Sequence, residues 1–203
     1  VTGGRRVILT TTTKMARDQV TEPTCWSDDP AIVETALVGG RALFVAQDEI
    51  PGKITGPSPE AVNRLFSDTT ADYAVVEADG ARSMSIKAPA EHEPAIPSCS
   101  TLVIVVVGID VVGRRVVDVA HRPDRIASLT GLAQESILTV RDVAAILSHP
   151  DGGLARIPEA ARTAIAITRA TATTTASATE LETILARHPR ITRVVTLPLA
   201  GTW

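Results

Sequence analysis

Apolar and polar positions fall along this chain in two different rhythms. Six runs rich in β-branched residues stand out, at residues 6–11, 42–47, 73–77, 102–108, 164–168 and 193–197. Several are continuously apolar; residues 102–107 read Leu-Val-Ile-Val-Val-Val without a break. Such a run predicts a strand buried on both faces, because a strand with one wet side alternates.

Between these runs lie helical patterns with start signals. Asp29-Pro30 precedes a periodic stretch at residues 31–38 that Gly39-Gly40 closes, and Ser58-Pro59-Glu60 opens residues 61–66 in the same way. Proline suits the first helical position because an N–H there has no intrahelical partner. Thr139 caps a predicted helix at residues 140–147, with Pro150 as its breaker. The last helix is expected at residues 179–188, with Leu181, Ile184 and Leu185 on one face and Pro189 at its end. The Thr/Ala-rich stretch 170–178 reads as the loop leading into it. Strand and helix therefore alternate. That predicts an α/β fold with a doubly wound, mostly parallel sheet and helices on both faces, in a single domain over residues 1–203.

Composition narrows the classes open to such a domain. The chain is 44% hydrophobic but only 2% aromatic, so its core is built from Val, Ile, Leu and Ala. The net charge is −3, with Lys and Arg scattered, which lacks the basic footprint of a nucleic-acid binder. No apolar run approaches the roughly 18 residues of a membrane span, and residues 7–9 are too short for a signal-peptide core. Two cysteines, Cys25 and Cys99, make neither a disulfide framework nor a Cys-based metal site. The expectation is free thiols in a reducing, cytoplasmic compartment.

In open α/β sheets ligands bind beyond the carboxyl ends of the strands, so the candidate chemistry is whatever follows each run. The first run ends in Thr10-Thr11-Thr12-Thr13-Lys14. Thr10 and Thr11 finish the strand; Thr12, Thr13 and Lys14 offer hydroxyls and an ammonium to phosphate oxygens, or else merely favour strand structure. The third run ends in Glu77-Ala78-Asp79-Gly80. Carboxylates at the end of an apolar strand are how phosphate-handling proteins hold Mg²⁺, and an Asp-Gly pair is also an ordinary turn. Glu77 and Asp79 share one face if the strand continues that far. Next come Arg82, Lys87, Glu91, His92 and Glu93, interleaved with Pro89, Pro94 and Pro97, which fix an extended path. Adjacent residues on such a path point to opposite sides. Ion pairs holding the loop are therefore the expected role of Glu91, His92 and Glu93, ahead of metal ligation. Gly108-Ile109-Asp110 follows the fourth run, and His121-Arg122-Pro123 precedes a helix start where the two basic residues are candidates to reach a phosphate.

These blocks together carry a family resemblance. Val7-Ile8-Leu9-Thr10-Thr11-Thr12-Thr13-Lys14-Met15, Gly52-Lys53-Ile54-Thr55-Gly56, Val75-Val76-Glu77-Ala78-Asp79-Gly80-Ala81-Arg82, Lys87-Ala88-Pro89-Ala90-Glu91-His92-Glu93-Pro94-Ala95-Ile96-Pro97 and His121-Arg122-Pro123 resemble the YqeC family, known as accessory proteins of selenium-dependent hydroxylases. The resemblance implies a P-loop type of nucleotide-binding fold, Mg²⁺ and a nucleoside triphosphate as cofactors, and a client molybdenum hydroxylase as partner. On that footing Asp79 and Glu77 are the catalytic, Mg²⁺-holding carboxylates. Thr12, Thr13, Lys14, Gly80 and Arg82 are the phosphate-binding set, and Lys87, Glu91, His92, Glu93, His121 and Arg122 form a substrate or partner loop. Two departures stand out. The Gly-Gly-Lys-Thr-Thr phosphate loop of the family occurs nowhere in this chain, so the chain alone is expected to bind nucleotide poorly and to be inactive. Thr168 and Arg169 stand where relatives carry a base-reading Asn-Lys-x-Asp motif, so the resemblance does not extend to a choice of base. Three functions remain open: a nucleotide-dependent accessory protein, a non-enzymatic scaffold that docks a client hydroxylase, and a kinase or ligase acting on a small acid. A sheet lacking its first strand would also expose an edge that favours pairing between copies.

Overall fold

The computed structural model describes residues 4–37 and 42–198. Gly39 and Gly40, the expected stop of the first helix, lie outside the described residues. The chain divides into two compact units. One holds the described residues up to Gly80 together with Ala95–Cys99; the other holds Ala81–Pro94 and the described residues from Ser100 onward.

In the first unit the elements run β1 (Val7–Thr11), β2 (Lys14–Ala16), β3 (Thr24–Cys25), α1 (Pro30–Ala36), β4 (Ala42–Val45), β5 (Asp48–Ile50), β6 (Lys53–Thr55), α2 (Pro59–Asp68) and β7 (Tyr73–Glu77). Both helices start as their sequences dictate. The Asp29 carboxylate accepts the Ala31 N–H and the Ser58 hydroxyl accepts the Ala61 N–H, with proline at the first turn of each. A parallel sheet runs in the order β3-β4-β1-β7. Side chains alternate across it. Ile8, Leu43 and Val45 pack with Val33, Leu37 and Leu65 from the helices. Phe44 packs the other way with Ala46 and Ile54, and the half-buried Leu9 and Met15 join them. On that second face the sheet meets β6 of a three-stranded antiparallel sheet, β2-β6-β5.

The second unit comprises β8 (Ile86–Lys87), β9 (Leu102–Gly108), α3 (Val116–Val119), β10 (Ala120–His121), α4 (Pro123–Thr130), α5 (Val140–Ser148), β11 (Arg162–Ala170), α6 (Thr175–Leu185) and β12 (Arg193–Pro198). Its larger sheet is parallel, in the order β12-β11-β9, and β8 and β10 form a separate parallel pair. Val107, Ile165 and Ile167 bury one sheet face against Val143, Ile146 and Leu147 of α5 and Leu181 and Leu185 of α6. Each such fully buried aliphatic side chain contributes about 2 kcal/mol, and together they outweigh any single polar contact in this unit.

All six expected strands are present, and the fold class is α/β with mostly parallel sheets. Two expectations change. The last helix begins at Thr175 rather than 179, so half of the presumed Thr/Ala loop is helical. Alanine favours helix, and the hydroxyls of Thr175, Thr179 and Thr183 each donate to the carbonyl four residues back, which keeps those threonines satisfied inside a helix. The second change concerns burial. Leu102, Ile104 and Val106 of β9 are 43%, 55% and 62% exposed, and Tyr73 and Val75 of β7 are 56% and 58% exposed. Each strand ends its sheet order, and within its own unit one of its faces is uncovered among the described residues. No helix among the described residues is long and apolar enough to cross a membrane.

Candidate functional site

The first cluster forms where β1 and β7 end together. They pair in parallel register, Val7 with Tyr73 through Thr11 with Glu77, so the last residue of each strand lies beside the other. The fully buried Thr11 is the hub. Its Oγ1 lies 3.0 Å from Glu77 Oε2 and 3.1 Å from the Glu77 carbonyl oxygen, and it accepts the Thr13 N–H at 3.0 Å. The Thr13 hydroxyl is 3.1 Å from that of Thr11. Thr12 donates its N–H to the Glu77 carbonyl at 3.0 Å and its hydroxyl to the Ala95 carbonyl at 2.7 Å. Gly80 stands over the same group; a Cβ on it would be 3.9 Å from both Glu77 Oε1 and Thr13 Oγ1. Beside Glu77 a cleft of about 310 Å³ is lined by apolar groups of Leu9, Met15, Val20, Phe44 and Val75.

This arrangement refines the expected site. Thr13, Glu77 and Gly80 lie together. The Thr12 side chain is committed to the Ala95 carbonyl, and Lys14 is exposed at the start of β2, paired with Thr55 across the antiparallel sheet. The strand stops at Glu77, so the two-residue period that would align Glu77 with Asp79 does not reach Asp79. Sequence reading assigned Thr11 to the strand and missed its central role. The available signal was that the terminal residues of neighbouring parallel strands meet at the ligand end of a sheet.

The donor set at Glu77 is all oxygen: a carboxylate and the hydroxyls of Thr11 and Thr13. That chemistry fits a hard cation such as Mg²⁺, which takes one or two protein carboxylates and leaves its other positions to water and phosphate. Among the described residues no group of three or more His, Cys, Asp or Glu side chains converges as a metal cage.

A second cluster lies within the other unit. The β8–β10 pairing sets Lys87 beside His121. The Lys87 ammonium, only 7% exposed, contacts Glu93 Oε2 at 2.8 Å. Arg122 meets the same carboxylate with both terminal nitrogens, one of them Nη2 at 2.9 Å from Oε1, and the Ala90 N–H donates to it at 3.2 Å. Burial pushes the Glu93 carboxyl up, but the hydrogen bonds from Arg122, Lys87 and Ala90 outweigh it and hold the group well below the usual carboxylate range. His121 moves down, first through burial and then through the nearby charges of Lys87, Arg122 and Arg82, against which Glu93 acts alone. His121 Nδ1 is buried without a hydrogen-bond partner among the described residues. Arg82, Ser83 and Arg122 all adopt positive φ, at 51°, 62° and 66°. His92 is 82% exposed and 3.9 Å from Glu93 Oε1, and the Glu91 side chain is exposed while its carbonyl accepts Arg156 Nη1 at 3.4 Å. Ion pairs thus hold this loop through Glu93, and Glu91 and His92 are exposed.

A third polar group closes the ends of β9 and β11. Asp110 Oδ2 accepts Ser85 Oγ and Arg169 Nη1, each at 3.2 Å, and Gly108 is required beside it, since a Cβ there would lie 2.3 Å from Asp110 Oδ1. Cys25 and Cys99 are both free.

Parallel strands, helices at their flanks and polar side chains gathered at the strand ends define an α/β protein. The YqeC protein family matches residues 1–124, and the chain belongs to that family. It is also 36% identical over 162 residues to the uncharacterized protein YqeC of Escherichia coli (strain K12), a match covering 78% of this chain and 63% of that relative. The chain therefore spans less than two thirds of the relative's length. No solved structure matches it.

Proposed function

We propose that this chain is the Mg²⁺- and phosphate-facing part of a nucleotide-dependent accessory protein that acts in maturation of a selenium-dependent molybdenum hydroxylase. The observation that carries the nucleotide reading is the Thr11–Glu77 register, which gathers a carboxylate, two hydroxyls and Gly80 at the carboxyl ends of parallel strands. Glu77, with Asp79 following it, holds Mg²⁺ or its waters. Thr13 and Lys14 offer a hydroxyl and an ammonium to phosphate oxygens, and Gly80 lies beside Thr13 and Glu77. Bound Mg²⁺ would supply charge neutralisation on the phosphates; the chain's own groups supply position and hydrogen bonds. The hydroxylase context comes from the family resemblance.

Calorimetry on the 203-residue chain tests the nucleotide reading. Mg²⁺-dependent binding of ATP or GTP in the millimolar range is expected, because the backbone amides of a phosphate loop are not part of this sequence. Glu77→Gln should abolish the Mg²⁺ dependence. Binding that is unaffected by Mg²⁺ and by Glu77→Gln would overturn the assignment. A second reading has its own observation. The exposed Glu91 and His92 sit at the tip of a loop whose base Glu93 fixes, which suits a rigid docking surface for a client hydroxylase. Direct client capture lost in Glu91→Lys, without any nucleotide effect, would favour it.

A further inference from the structure

The cleft beside Glu77 is built by strand register. Across β4, β1 and β7 the residues Phe44, Leu9 and Val75 are direct neighbours. Two residues further along, at the carboxyl ends, Thr11 and Glu77 are paired in the same way. Alternation places Leu9 on the face of Thr11 and Val75 on the face of Glu77, so an apolar row and a polar row follow each other on one side of the sheet, roughly 7 Å apart. Met15 and Val20 pack against Phe44 and wall the cleft. Its volume of about 310 Å³ falls at the small end of ligand sites, which run from about 300 to 1,000 Å³. All of its lining belongs to the first unit.

The lining sorts by chemistry. Its floor and wall are apolar, and Val75 is 58% exposed there. Gln19, Thr21 and Glu22 stand exposed at its margin, and their side chains make no hydrogen bond among the described residues. No lysine, arginine or histidine lines it, and its two charged residues, Glu22 and Glu77, are both acids. Such walls repel a phosphate and accept an uncharged ring. We infer that this cleft is the subsite for the base of a nucleotide, with the ring faces against Leu9 and Val75 and the ring edge toward Gln19, Thr21 and Glu22. An amide, a hydroxyl and a carboxylate supply the donors and acceptors that a heterocycle's edge pairs with, and an aliphatic chain has no use for them. The step from the apolar row to the polar row leaves room for a sugar, with the phosphates at the level of Thr11 and Glu77. The inference rests on the nucleotide reading of Glu77 and Thr13, and adds to it the place of the ligand's organic part.

Methyl NMR spectra of the 203-residue chain with adenosine and with guanosine, which bring a base without phosphate, test it. Saturable shifts at the methyls of Met15, Val20 and Val75 are expected, with and without Mg²⁺. ATP should bind about tenfold more tightly than inorganic triphosphate, both with Mg²⁺, because the base buries apolar surface that triphosphate lacks. Val75→Gln, which puts a longer polar side chain in the cleft without changing its charge, should abolish the nucleoside shifts at Met15 and Val20. It should also remove the tenfold difference while leaving triphosphate binding and the thermal midpoint in place. Val20→Gln, outside the strands, should act alike and keeps the test decisive if the change in β7 disturbs folding. Mg²⁺-dependent triphosphate binding with no nucleoside shift at these methyls overturns this inference and leaves the reading of Glu77 standing. Nucleoside shifts with no Mg²⁺-dependent binding of ATP overturn the reading of Glu77 and keep the cleft as a base site. Equal shifts from cyclohexanol, or equal nucleoside shifts at the exposed Ile104 and Val106 of the second unit, reduce the effect to apolar adsorption and overturn the inference as well.

Discussion

Gly56 leaves no room for a side chain: a Cβ there would stand 1.8 Å from the carbonyl oxygen of Thr11 and 3.1 Å from Thr10 Oγ1. The obstacle is backbone, which cannot swing aside. Gly56→Ala should therefore cost about 3 kcal/mol in urea unfolding and displace Thr11 from Glu77. Lys53→Ala, exposed in the strand β6 that precedes Gly56, should cost little. Two titrating residues make a second argument at this scale. His121 binds its proton below the ordinary value of about 6.5 in the folded chain, while the unfolded chain binds one near 6.5. The unfolded state thus holds more protons in that window, so stability is complete above about pH 6.5 and falls as the pH drops. Glu93 acts in the same direction but lower down. Its depressed carboxyl contributes stability that is present above the unfolded value of about 4.5 and is lost on acidification toward the folded value. Urea midpoints followed from pH 8 to pH 3 should show both losses. His121→Asn should flatten the upper one, and Glu93→Gln should remove the lower one while deepening the upper, because Glu93 is the charge that supports the His121 proton. A midpoint independent of pH between 8 and 5 would contradict the upper assignment.

At the scale of elements, α5 shows how far local chemistry governs the chain. Thr139 and Asp142 form a reciprocal capping box: the Thr139 hydroxyl accepts the Asp142 N–H and the Asp142 carboxylate accepts the Thr139 N–H. Thr139→Ala should cost about 1 kcal/mol, read as a shift in urea midpoint with an unchanged slope. That helix was legible from its cap, as were α1 and α2 from Asp29-Pro30 and Ser58-Pro59, and the six long strands from their β-branched runs. What escaped were elements without a pattern of their own. The β2, β5 and β6 strands have three residues each, and β8 and β10 have two, too short for any periodicity to emerge. The same limit hid much of the site. Glu77 and Thr13 could be nominated because one ends a strand and the other follows one, but Thr11 gained its role only from the register between β1 and β7. Lys87, Glu93 and Arg122 were singled out one by one as charges near prolines. Their meeting at one carboxylate depends on the pairing of two dipeptides 34 residues apart, Ile86 with Ala120 and Lys87 with His121, and no local signal encodes it.

Across the whole molecule the two units differ in how their apolar residues are spent. The second unit joins β8, β9, β10, β11 and α3 to α6 in one continuous core, while the first divides its smaller core between the two faces of one sheet. A truncation such as Leu181→Ala, in the continuous core, should cost about 2–5 kcal/mol in the unfolding of that unit. Because the cores are separate, unfolding need not be one transition, and hydrogen exchange followed in the two units is the measurement that distinguishes one transition from two. The open row of Leu102, Ile104 and Val106 has a further consequence, for handling rather than for folding. An uncovered run of aliphatic, β-branched side chains on a sheet's terminal strand, with a net charge of only −3 on the chain, has the pattern of a growth template, on which a second molecule would add its own strand. Light scattering from the purified chain should rise steeply with concentration and most of all near its isoelectric point of about 5.8. Ile104→Lys, a charged gatekeeper in the middle of the row, should suppress the rise without moving the thermal midpoint.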